Sequence, residues 1–189
     1  MIRLMTCLFL MLWILYLMHR YDGQLGWILV FWMLPASWLQ QQVPDPCVIE
    51  ALVIEALAVL VFFQDYKTFY FGRTWLVLLL AIVGWGWSKP IGLVSRFLAM
   101  SFGLVLVPFC QKGKIGSADV LAMMAMGFAL GFERMLAALL IACCSALGYA
   151  LLTGQTMVPF LSFLAYGFVI ACYKGYTLLE KIEQALLAS

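Results

Sequence analysis

Charge is scarce in this sequence. Asp, Glu, Lys and Arg make up 11% of 189 residues, against 66% for the hydrophobic types and 15% for the aromatics. Soluble domains carry roughly 25% charged residues and roughly 45–50% apolar ones. So few polar side chains cannot cover so much apolar surface, which excludes a soluble enzyme, a disordered chain and a nucleic-acid binder. The net charge of +2 is too small to imply an acidic partner. Histidine is nearly absent. His19 alone argues against a histidine-based metal site or a Ser-His-Asp hydrolase. The six cysteines form no C-x-x-C pair, so a zinc knuckle or thioredoxin-type site is unsupported and they read as small apolar residues. What is present in abundance is apolar surface, the mark of a polytopic membrane protein with lipid as solvent.

A helix needs about 20 residues to cross the hydrocarbon, with about 17 as a practical minimum. Apolar runs fall at 2–18, 25–39, 47–64, 74–88, 91–110, 119–132, 135–152 and 157–173. Several are short, so the expected fold is an all-α membrane domain over 1–189 with six to eight transmembrane helices, short loops and no extramembrane domain. The first run lacks a following small-residue cleavage site and is expected to be a retained helix. Arg20, Lys67, Arg73, Lys112 and Lys114 cluster in the first, third and fifth loops. The positive-inside rule then places those loops in the cytoplasm. The tail from Leu178 to Ser189 reads as an amphipathic helix resting on the bilayer.

Ionisable residues inside spans are expensive and become functional candidates. They are Glu50, Glu55, Asp65, Arg96 and Asp119. Glu55 and Arg96 are expected either to hold two helices together or, with Asp119, to form a proton or ion pathway. Asp65 closes the third run and Asp119 opens the sixth. Two spans lie between them, provided that Lys89-Pro90 breaks the helix, as proline favours. Two crossings return the chain to the face it left, so both carboxylates share one face. Such a pair can act as an acid–base dyad: one takes a proton from water while the other polarises a scissile carbonyl. Asp65 ends a helix and Asp119 begins one, so the helix dipoles predict Asp119 as the base and Asp65 as the proton donor. Gly127 and Gly131 have the small-xxx-small spacing of packed helices.

The segment Gly113-Lys114-Ile115-Gly116-Ser117-Ala118-Asp119-Val120-Leu121-Ala122, continuing to Gly127 and Gly131, resembles the G-x-G-D region of type IV prepilin peptidases. The Asp65 segment resembles that family's first aspartate motif. Val158-Pro159-Phe160-Leu161-Ser162-Phe163-Leu164-Ala165 resembles its late P-F-x-P-x-L-A element. The resemblance covers about 47–170. Ala118 stands where the family has Gly, Leu121 where a Lys is usual, and Ser162 in place of the second proline. Phe69-Tyr70-Phe71-Gly72 follows the first motif instead of Ile-Pro.

The resemblance implies a bacterial inner-membrane aspartyl endopeptidase cutting the leader from prepilin or pseudopilin precursors at the cytoplasmic face. Asp65 and Asp119 would be catalytic, Gly116, Ser117 and Ala118 would form the motif loop, and no cofactor or metal is implied. Lys112 and Lys114 read as topology determinants, or as contacts to substrate or lipid headgroups. The zinc-binding methyltransferase module of larger family members has no counterpart, since the loop from His19 to Gln24 carries no Cys pairs. Two other classes are a non-catalytic relative acting in membrane assembly, which the four departures favour, and a small transporter using Glu55, Arg96 and Asp119.

Overall fold

The apolar runs become helices because an α-helix satisfies its own backbone hydrogen bonds among apolar surroundings. A computed structural model describes residues 2–20, 32, 48–68, 74–87, 89–113, 116–154 and 158–187, and among these there is no strand. Seven helices are described: α1 (Ile2–Arg20), α2 (Val48–Thr68), α3 (Thr74–Trp87), α4 (Leu93–Gln111), α5 (Ser117–Leu130), α6 (Phe132–Thr153) and α7 (Phe160–Leu187). α4 and α6 are long and apolar enough to cross a membrane. The second apolar run, 25–39, lies outside the described residues except for Trp32, as do Lys114 and the loop 69–73.

The helices pack in two groups. α1, α2, α7 and α6 form one, with α6 against α7 as the most extensive contact, and α3, α5 and α4 form the other. The groups meet where α5 touches α6 and α7 and where α4 touches α6. Phe62, Phe63, Met126, Leu130, Phe163 and Phe168 fill the centre. Large apolar side chains elsewhere face outward, among them Leu93, Val94, Phe97, Leu104 and Val105 on α4 and Leu147, Leu151 and Leu152 on α6.

Helix ends fall where local chemistry sets them. The expected break at Lys89-Pro90 is present, with 89–92 outside helix. The break between α5 and α6 is a single residue, Gly131, at φ +76°. A side chain is disfavoured at that φ, and a Cβ there would also lie 2.8 Å from the Ile91 side chain, so Gly131 serves both the turn and the packing. Gly127 serves packing as well: a Cβ there would lie 2.7 Å from the Ala99 carbonyl oxygen of α4. Glu133 and Arg134, which separate the apolar runs 119–132 and 135–152, lie in the first turns of α6, where Glu133 complements the helix dipole. The tail is no separate surface helix. α7 runs on to Leu187, because its Leu, Glu, Lys, Gln and Ala residues favour helix and no proline stops it.

Candidate active site

Near its end α2 carries Phe62-Phe63-Gln64-Asp65-Tyr66, and Phe62 and Asp65 lie against the start of α7. Proline at 159 has no N–H, and the next amides open α7 without intrahelical acceptors. Asp65 meets one of them. Its Oδ2 accepts from the Ser162 backbone N–H at 2.9 Å and lies 3.0 Å from the Ser162 hydroxyl. The same hydroxyl is 3.0 Å from the Phe62 carbonyl oxygen, one turn back on α2. The Ser162 amide also leans toward the Pro159 carbonyl at 3.1 Å, a three-centre arrangement common at helix starts. Asp65 therefore caps α7 from a different helix. It is 8% exposed, and Ser162 is fully buried.

Asp119 sits in the first turn of α5, where Oδ2 accepts from the Gly116 N–H at 3.3 Å. This is half of a capping box, with a carboxylate reaching back to the residue before the helix. Both carboxylates thus lie at helix N-termini. The argument that assigned Asp119 as base and Asp65 as donor counted α2's C-terminus alone; the α7 N-terminus beside Asp65 opposes it, so the helix dipoles do not separate the two roles.

The two aspartates line one cavity of about 860 Å³. It lies at the junction of the helix groups and is open on one side. Gly116 and Ala118 form its rim beside Asp119. Most of its wall is apolar: Phe102, Val105 and Leu106 from α4, Met123 from α5, Leu139 from α6, and Val158, Pro159 and Phe160 ahead of and within α7. Cys143 of α6 completes it. Ser117 and Lys112 are exposed near this end. Behind Asp65, Tyr66 stacks on Phe62 and its hydroxyl lies 3.0 Å from that of Tyr149, tying α2 to α6.

Glu55 and Arg96 are elsewhere. Glu55 is buried ten residues before Asp65 on α2, about 15 Å along the axis at 1.5 Å per residue. Arg96 donates from Nε to Ile91 O at 3.1 Å, from Nη1 to Phe128 O at 3.1 Å, and from Nη2 to Lys89 O at 2.8 Å. Phe128 is nine residues after Asp119, about 13 Å along α5. Of Glu55, Arg96 and Asp119, only Asp119 lines the cavity. Sequence reasoning did not assign Ser162 a contact with Asp65. One readable signal was its place three residues after Pro159, in a first helical turn rich in unused donors.

No protein-family model matches the chain, and no curated protein and no solved structure matches it either.

Proposed function

We propose that this protein is an aspartyl endopeptidase of the membrane that removes the leader from prepilin-like precursors. One observation carries the reading: Asp65 and Asp119 share a cavity whose wall is otherwise largely apolar. The three stretches that resemble type IV prepilin peptidases also meet at that cavity. Asp65 belongs to the first, Gly116, Ala118 and Asp119 to the second, and Val158, Pro159 and Phe160 to the third.

In the proposed reaction one carboxylate takes a proton from water as the oxygen attacks the scissile carbonyl. The other, protonated, donates a hydrogen bond to the carbonyl oxygen. Collapse of the tetrahedral intermediate breaks the C–N bond, and the leaving nitrogen takes up a proton from the pair. The apolar wall suits the hydrophobic helix that follows a leader. The outward Leu, Val and Phe side chains of α4 and α6 suit lipid contact and support a multi-pass arrangement of six to eight spans. In this proposal the site opens to the cytoplasm at a bacterial inner membrane.

The test is processing of a panel of leader-bearing prepilins in membranes by the wild type, Asp65→Asn and Asp119→Asn. Loss of cleavage in both variants, with normal accumulation, supports the dyad. Continued cleavage in either removes that residue from catalysis. A cysteine label introduced at Lys112 and another at Ser117 should both report the cytoplasmic side.

A second reading, a non-catalytic assembly factor, is favoured by the caps. Each carboxylate accepts from an N–H group at a helix start, a structural task that needs no chemistry. Under that reading both Asn variants would retain function, since Asn also accepts these bonds.

A further inference from the structure

We propose that Ser162 is a positioning residue for Asp65, with its hydroxyl serving as a rotor that supports the carboxyl in both protonation states. The inference rests on the peptidase reading of the cavity and concerns a residue that the dyad alone does not require. Its basis is a count of protons. Ser162 Oγ lies 3.0 Å from Asp65 Oδ2 and 3.0 Å from Phe62 O, and it carries a single hydrogen. The Phe62 carbonyl can only accept.

When Asp65 is ionised, the hydroxyl donates to Oδ2 beside the Ser162 backbone N–H, which donates to the same oxygen. When Oδ2 carries a proton, that proton is donated to Ser162 Oγ, and the hydroxyl turns to donate to Phe62 O. No bond to carbon changes, and each state uses the hydroxyl hydrogen once. The backbone N–H would be turned away from a protonated Oδ2 toward the Pro159 carbonyl, which it already approaches at 3.1 Å. A catalytic carboxyl that alternates between acid and base needs such a partner, since a fixed donor would favour one state alone. Ser162 is fully buried, so water does not substitute. A proline at 162 would supply neither the N–H nor the hydroxyl. Among the described residues, Asp119 from α5 and Cys143 from α6 line the same cavity as this carboxyl, and Tyr66 follows it on α2 with its hydroxyl 3.0 Å from that of Tyr149 on α6.

The experiment uses the full chain in lipid vesicles. The Asp65 carboxyl band is isolated as the infrared difference between the wild type and Asp65→Asn. It is then compared in Ser162→Ala and Ser162→Thr, each against its own double variant with Asp65→Asn. Alanine removes only the hydroxyl oxygen, and threonine keeps it. The expected result is a displaced band and a kcat lower by about tenfold at unchanged KM in Ser162→Ala, with the wild-type band kept in Ser162→Thr. A band that stays in place in Ser162→Ala overturns the inference. Equal displacement in both variants also overturns it, because packing and not the hydroxyl would then set the band. A wild type that cuts no leader substrate would remove the peptidase reading, while the infrared comparison would still decide whether Ser162 holds Asp65.

Discussion

The two ends of the helix bundle treat their charges in opposite ways. At one end Glu50 of α2 accepts from Lys89 and from the Trp85 indole, and Lys89 lies 5.0 Å from the Trp85 ring centroid. Arg96 is buried there, with three carbonyls as acceptors and the Phe128 ring 5.0 Å away. Nearby, Ser95 Oγ accepts the Phe132 N–H at 2.8 Å and caps α6 across the Gly131 turn. Every one of these contacts joins protein to protein. At the other end Asp65 and Asp119 are also anchored by N–H groups, yet both face a cavity. Charge by itself therefore does not mark a site in an apolar chain. The distinction is whether a charge is closed off by protein partners, even where it stays part-exposed as Glu50 and Lys89 do, or is left beside open space.

The largest effect that would sharpen this contrast is loss of chemistry with retention of fold. Asp65→Asn and Asp119→Asn should each lower cleavage by about a thousandfold or more, the upper range for losing an acid–base group, while accumulating normally. Pulse-labelled processing of a prepilin in membranes measures this. Cleavage near the wild-type rate in either variant would make the open end as structural as the closed one.

Arg96 should behave in the reverse manner. Arg96→Leu leaves carbonyls at the 89–91 turn and at Phe128 without their donors, at about 1–3 kcal/mol for a buried acceptor. A sharp drop in accumulation and in the thermal midpoint in detergent is expected. Arg96→Lys should not rescue it, because an ammonium cannot reproduce the planar guanidinium fork. If Arg96→Leu kept full stability but lost transport of some ion, the closed end would be the functional one.

A smaller effect is expected where two helices of one group are held together by close backbone approach. Gly127→Ala places a methyl 2.7 Å from the Ala99 carbonyl oxygen, so α4 and α5 must separate. Overpacking of this kind costs about 1–3 kcal/mol. The readout is the thermal midpoint, and an unchanged midpoint would show that the two helices can slide apart.

These residues also show what was legible in the sequence. Apolar runs located the described helices, because run length and backbone hydrogen-bond satisfaction are local properties. Counting crossings placed Asp65 and Asp119 at one end, because parity depends on order alone. The tasks of Arg96 and Ser162 were not legible. Phe128 lies 32 residues from Arg96 and Asp65 lies 97 from Ser162, and no spacing rule encodes which distant carbonyl or carboxylate will arrive beside a side chain. The dipole argument for the division of labour between the aspartates was incomplete for the same reason. The dipole of α2 was readable, but the start of α7 beside Asp65 was a tertiary fact. Glu133 and Arg134 hid a boundary in another way: charges in a helix's first turns fall between apolar runs when hydropathy alone is read.

The smallest expected effect tests the rim of the cavity at the open end. Ala118 is half-buried between exposed Ser117 and Asp119 and lines the cavity. Its methyl is the one group there that the G-x-G-D pattern lacks. Ala118→Gly removes it and leaves Asp119, Gly116 and their bond in place. The change lowers helix stability by up to about 1 kcal/mol, and by less than that in a first turn. A slightly lower thermal midpoint is therefore expected, together with cleavage that is equal to or up to about threefold faster than the wild type, the equivalent of roughly 0.6 kcal/mol. The two readouts must move in opposite directions or cleavage must stay level. If cleavage fell strongly while the midpoint held, the Ala118 methyl would be a surface on which substrate rests. The open end of this chain would then grip its peptide differently from the proteins whose motif it resembles.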